Sequence, residues 1–170
     1  MSNKWVQFAV YFVFIILIQG LVLNNIQIGV YVHPMAYILI LLMLPFEINF
    51  FITLLVALIL GIGVDALSDT FGLHTSSALL VGYIRPYVLK LIRPRDGYEA
   101  NLMPSVHDMG FIWFLTYSFI CIGIHHFWCF TIEVYRLDLI KLILLKTIMS
   151  SLVSFGIIFL LQYIFYKPSK

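Results

Sequence analysis

The chain has 170 residues, 62% of them hydrophobic and only 11% charged, with a net charge of +2 and a mean hydropathy of +1.04. A soluble domain carries about 45–50% apolar and about 25% charged residues, and a fold of this size still exposes roughly a third of its surface, so a water-facing exterior is excluded. The small net charge gives no basis for nucleic-acid binding, and six spans of about 20 residues would use ~120 positions, leaving these residues no room for an appended enzyme domain.

The first apolar run, 5–23, follows Lys4 alone. It exceeds a signal h-region, and no small-x-small cleavage pattern follows Gln19-Gly20, so it reads as a retained first span ending at the polar Asn24-Asn25-Ile26-Gln27. A short second span is predicted over 31–44, framed by Pro34 and Pro45, and a third over 47–64, closing on Gly61-Ile62-Gly63. The fourth covers 73–91 and contains Gly82 and Arg85-Pro86; the fifth covers 110–127 and the sixth 140–166. The expected fold class is therefore an all-α membrane protein, one membrane-embedded domain over 1–170 built as a six-transmembrane-helix bundle.

Lys and Arg in short loops set orientation. With an even number of spans, Lys4, the cluster Arg85, Lys90, Arg93 and Arg95, and the tail residues Lys167 and Lys170 share one side, expected to be the cytoplasm; Arg136 and Lys141 lie opposite, with Lys146 near them. Both termini are thus expected to be cytoplasmic. Pro94 and Asp96-Gly97 mark a turn in the largest hydrophilic stretch. That stretch reads as a solvated, headgroup-facing loop or as a docking surface for a cytoplasmic partner.

The stretch 61–74 is the richest in polar chemistry. Asp65, Ser68 and Asp69 share one helical face, with Gly72 and His74 following. Such a group is either a ligand, ion or partner site or a helix terminus, in which Asp69 and Thr70 bond local backbone and Gly72 turns the chain. Gly61, Gly63 and Ala66 would let another helix approach closely. His125-His126, with Glu133 and Asp138 beyond, could be weighed as zinc ligands, but adjacent helical positions lie about 100° apart and converge poorly. An interfacial pair beside Trp128 is the simpler reading. His33, His74 and His107 fall at span ends, and Trp5 and Trp128 suit an aromatic belt. Arg85 would snorkel to the headgroups, with pairing to Glu47 as the alternative. Cys121 and Cys129 read as apolar fillers, an exported disulfide being the alternative. No nucleotide-binding, zincin, nucleophile-elbow or C-x-x-C motif is present, no chain of buried carboxylates is expected through the spans, and neither a catalytic residue nor a metal or cofactor is assigned.

Six short spans in this length, together with Gly61-x-x-x-Asp65-x-x-Ser68-x-x-x-Gly72, resemble the MreD family of rod shape-determining proteins, in particular versions from Bacteroidetes-like bacteria. The opening Met1–Phe8, Gln19-Gly20 with Asn24-Asn25, Arg85-Pro86-Tyr87-Val88-Leu89-Lys90 and Arg95-Asp96-Gly97-Tyr98 have the same character. The resemblance implies a fold like the S component of energy-coupling-factor transporters, in the bacterial inner membrane. It also implies a non-enzymatic part in cell-wall elongation: binding an MreC-like protein, in a complex with RodA and a class B penicillin-binding protein, linked to MreB filaments. It transfers Asp65, Ser68 and Gly72 only as a structural or partner-facing signature. The rival it raises is a small-molecule-binding transporter subunit.

Overall fold

The computed structural model describes residues 2–26, 29–99 and 102–165. Lys167, Lys170, the end of the sixth predicted span and the side chains of Lys4 and Trp5 lie outside the described residues. Among the described residues all regular structure is helical, without a strand. Helix α1 (Ser2–Leu17) runs on through a π turn (Ile18–Val22) and a 3-10 turn (Leu23–Asn25); α2 is the four-residue Leu39–Leu42, and α3 is Phe50–Ser68. Helix α4 (Leu73–Leu91) precedes the short α5 (Val106–Met109), then come α6 (Phe111–Val134) and α7 (Ile140–Phe165). Among the described residues three helical stretches are long and apolar enough to cross a membrane: α3, α6 and the run 137–164, which holds all but the last residue of α7.

Local chemistry sets the ends. Asn49 accepts a hydrogen bond from Phe51 N at 2.8 Å and caps α3, which starts at Phe50 rather than at the predicted position 47. Asp69, at φ 52°, closes α3, and Gly72, at φ 79°, opens α4 in a conformation that glycine adopts without strain. Between α3 and α4 the backbones nearly touch: a Cβ on Gly61 would lie 2.3 Å from Thr75 Cα.

The predicted second span is the principal correction. Only Leu39–Leu42 is helical, and 32–36 is irregular chain, yet every residue from Met35 to Leu44 is buried. Pro34 lacks an N–H and disfavours helix in the residue before it. Irregular backbone is tolerated at membrane depth only where protein satisfies it, and here side chains do so. Gln19 Oε1 accepts from Ala36 N at 2.8 Å and Tyr37 N at 3.3 Å, while its Nε2 donates to Pro34 O at 3.0 Å. Ser150 and Ser154 of α7 accept from His33 N at 3.0 Å and Met35 N at 2.8 Å, and Gln162 Nε2 meets Met43 Sδ at 2.6 Å. Ser150, Ser154, Ile158 and Gln162 form one buried stripe on α7, so the segment runs alongside that helix in the same direction.

These contacts also sort the loops. Asn24 Nδ2 donates to Ser68 Oγ at 2.5 Å, putting the exit of the first helical run beside the end of α3. Trp113 Nε1 donates to Ile92 O at 3.2 Å, joining the start of α6 to the end of α4. One end of the bundle therefore carries the 92–99 loop with Arg93 and Arg95. The opposite end carries 69–72 and 135–139, where Arg136 pairs with Asp138 at 2.7 Å. Two further expectations change. His125 and His126 are fully buried inside α6, which continues to Val134, so they form no interfacial pair. Arg85 is 2% exposed and does not snorkel.

Candidate functional site

Asp65 is the centre of the polar stretch. Near the end of α3 it is 6% exposed and turned toward the first turn of α4. Its Oδ1 accepts from His74 N at 2.9 Å and Thr70 Oγ1 at 2.6 Å and lies 3.0 Å from His74 Nδ1. Its Oδ2 accepts from Thr75 N at 2.9 Å and Thr75 Oγ1 at 2.5 Å. Gly72, the N-terminal flanking residue of α4, has no side chain to cap the helix. Asp65 supplies the cap from the neighbouring helix, and its negative charge suits the positive end of the helix dipole. This carboxylate clasps α3 to α4 where Gly61 lets them touch.

The other residues of the stretch diverge from it. Ser68 Oγ donates to Val64 O at 2.7 Å and accepts from Asn24. The Asp69 side chain is exposed, its backbone N–H donating to Asp65 O. One shared helical face therefore resolves into three destinations: α4, the end of the first helical run, and the surface.

From the clasp a buried polar path crosses the bundle. The His74 ring lies 5.8 Å from the Tyr37 ring, edge to face; Tyr37 Oη is 2.5 Å from His125 Nε2; His126 follows, its Nε2 3.1 Å from Ser154 Oγ. No chain of buried carboxylates was expected, and this path has only Asp65 at one end. The continuation is histidine, tyrosine and serine, which the scattered positions in sequence gave no means to assemble. His125 Nδ1 is buried without a hydrogen-bond partner.

Two cavities flank this interior. At the end bearing 69–72, a cavity of about 410 Å³ has polar walls from Asn24, His33, Asp69, Thr70, His74 and Glu133 and apolar walls including Leu23, Met35 and Phe130. Glu133 is bridged to Lys146 at 3.1 Å. At the basic end, a cavity of about 230 Å³ is lined by Arg85, Lys90 and Arg93 with Phe46, Ile48, Phe50 and Tyr98. Arg85 Nε donates to Tyr117 Oη at 2.9 Å, and its Nη2 donates to the carbonyls of Leu44 and, at 3.4 Å, Pro45. Pairing with Glu47 is not seen: that residue is exposed, and the guanidinium instead holds the end of the buried segment. Tyr98 stacks on Phe46 at 4.2 Å and donates to Leu89 O at 2.7 Å. Burial raises its phenol above the usual range, against the opposing charges of Arg93 and Arg85, so it remains a donor at neutral pH.

Cys121 and Cys129 are free and buried on α6. Among the described residues no group of three or more His, Cys, Asp or Glu side chains could hold a metal ion. No family model, no curated protein and no solved structure matches the chain.

Proposed function

We propose that the protein is a non-enzymatic, multi-pass scaffold of the bacterial inner membrane, acting in cell-wall elongation and cell-shape control in the manner of the MreD family it resembles. In this reading the chain traverses the bilayer six times, five times as helix and once as the segment 33–44, buried from Pro34 onward. Both termini and the Arg93–Arg95 loop are cytoplasmic, and the 65–74 clasp faces the exported side. An MreC-like protein would bind along the helices and exported loops, bringing RodA and a class B penicillin-binding protein and, indirectly, MreB filaments.

The observation that carries the reading is the use of polar groups. Gln19, Asp65, Arg85, Ser150, Ser154 and Gln162 are all buried and all bonded to the chain's own backbone. They tie the packed interior together. The outward faces of α3 and α7, with Phe51, Leu55, Ile59 and Ile62 or Ile148, Leu152 and Leu160, are apolar surfaces for lipid or partner helices. Co-purification with an MreC-like protein from gently solubilised membranes tests the proposal, with rounding of rod-shaped cells on depletion as its second arm. Normal rods after clean depletion, with no such partner retained, would sink it.

A second reading, a ligand-binding subunit of a transporter, is favoured by the cavity of about 410 Å³ at the clasp end. It is within the volume range of small-molecule sites. It predicts a tightly held small molecule released on denaturing protein purified without added ligand. An empty mass spectrum would count against it.

A further inference from the structure

Arg85 is a cation in a costly place. It is 2% exposed, and all three of its hydrogen-bond acceptors, Tyr117 Oη and the Leu44 and Pro45 carbonyls, are neutral. Among the described residues it forms no ion pair. A buried cation without a counter-charge is strongly unfavourable in protein and more so at membrane depth, where charged side chains pair or face a cavity. Arg85 faces one, the cavity of about 230 Å³, and that cavity also gathers Lys90 and Arg93 without any carboxylate in its lining. Three cations without an anion define a missing partner: a compact group of negative charge with several acceptor oxygens. Guanidinium groups match such oxygens in paired geometry.

The rest of the lining narrows the class. Phe46, Ile48, Phe50 and Leu89 bring apolar surface to the same space. Tyr98, stacked on Phe46 and tied to Leu89 O, fixes the wall before any ligand arrives. An acidic peptide would offer charge but has no use for this apolar side, whereas a phosphate carrying hydrocarbon chains uses both. The volume admits a headgroup phosphate and the first atoms of its chains, not a whole lipid. We propose that this cavity is a stoichiometric binding site for a phosphate anion, supplied by the headgroup of an anionic phospholipid, with Arg85 as the buried counter-charge and Lys90 and Arg93 as the outer donors. One bound headgroup then braces the end of the buried segment, because Arg85 holds Leu44 and Pro45 at the same time.

Native mass spectrometry of the full chain tests this in micelles containing phosphatidylglycerol and phosphatidylcholine at equal concentration. The expected result is one phosphatidylglycerol per chain, at least about tenfold preferred over phosphatidylcholine. Lys90 and Arg93 are exposed, so Lys90→Gln and Arg93→Gln leave the packing intact; each should weaken retention about fivefold, the usual effect of one basic residue near an anionic headgroup. Arg136→Gln, at the other end of the bundle, is the control and should change nothing. Persistence of the bound lipid through a millimolar inorganic phosphate wash assigns the phosphate to lipid; its replacement by inorganic phosphate assigns the site to the free anion. Equal retention of both lipids, equal losses in Arg136→Gln and Lys90→Gln, or binding of an acidic peptide at the expense of phosphate would overturn the proposal.

Discussion

At the scale of single residues, Asp65 accepts from two backbone N–H groups and two threonine hydroxyls, with His74 beside it. Truncation strands the first turn of α4 without a cap. Asp65→Ala should therefore cost about 3 kcal/mol, the range for removing one partner from a buried charged network, and Asp65→Asn visibly less because one oxygen is kept. Heating the detergent-solubilised protein and recording its midpoint by size exclusion checks the order. Asp69→Ala, which removes an exposed side chain, is expected to leave that midpoint unchanged. Equal losses at both positions would contradict the clasp. The sequence reading set Asp65 and Asp69 side by side because a four-residue spacing shares a face. The alternative of a helix terminus fits the chain here, since α3 ends at Ser68 and the Asp69 and Thr70 amides donate to Asp65 O; what the spacing did not show is that Asp65 also caps α4.

At the scale of elements, α4 was legible at its own bounds, because Gly72 and the polar loop after Leu91 punctuate a 19-residue helix, although its His74, Ser76, Ser77, Arg85 and Lys90 leave it less apolar than α3, α6 and the run 137–164. The 33–44 segment was not. A short apolar run reads alike whether it becomes a buried helix or a buried extended chain. The cue that could have separated them lies more than a hundred residues away, where Ser150, Ser154 and Gln162 repeat at multiples of four on an otherwise apolar helix. His125-His126 misled in the opposite direction: polarity suggested an interfacial pair, whereas α6 buries both rings in the polar path from Asp65 to Ser154. Gln19 gives the element its sharpest test. Gln19→Leu keeps the bulk but orphans the Ala36 and Tyr37 amides and should cost about 3 kcal/mol, since a buried donor left unmade costs roughly 1–3 kcal/mol. Hydrogen exchange should accelerate at Ala36 and Tyr37 and not in α6. Uniform protection across both would argue against side-chain support of the segment.

For the whole molecule, composition alone was enough to identify the bilayer as solvent, and the exposed apolar faces of α3 and α7 agree with it. The proposed orientation makes a direct prediction. In a cysteine-substituted chain, a label that cannot cross the membrane should reach Asp138→Cys in intact cells and Arg95→Cys only after permeabilisation. The native Cys121 and Cys129, both buried, should stay unlabelled in either case. Reversed labelling would invert the orientation, and labelling of both sites in intact cells would end the account of opposite faces.

The dependence of 33–44 on α7 also has a consequence in time. Chains enter a membrane in order of synthesis, and among the described residues Gln19 is the one side-chain acceptor of the segment's amides that precedes it. The Ser150 and Ser154 acceptors and the Gln162 contact arrive last. Between the insertion of α3 and that of α7, the buried amide of Met35 lacks its Ser154 acceptor. In the proposed membrane topology, completion of this interior should therefore wait for α7. A chain interrupted within 140–150 is an unfinished interior rather than a shorter bundle, and membrane quality control should read it as such.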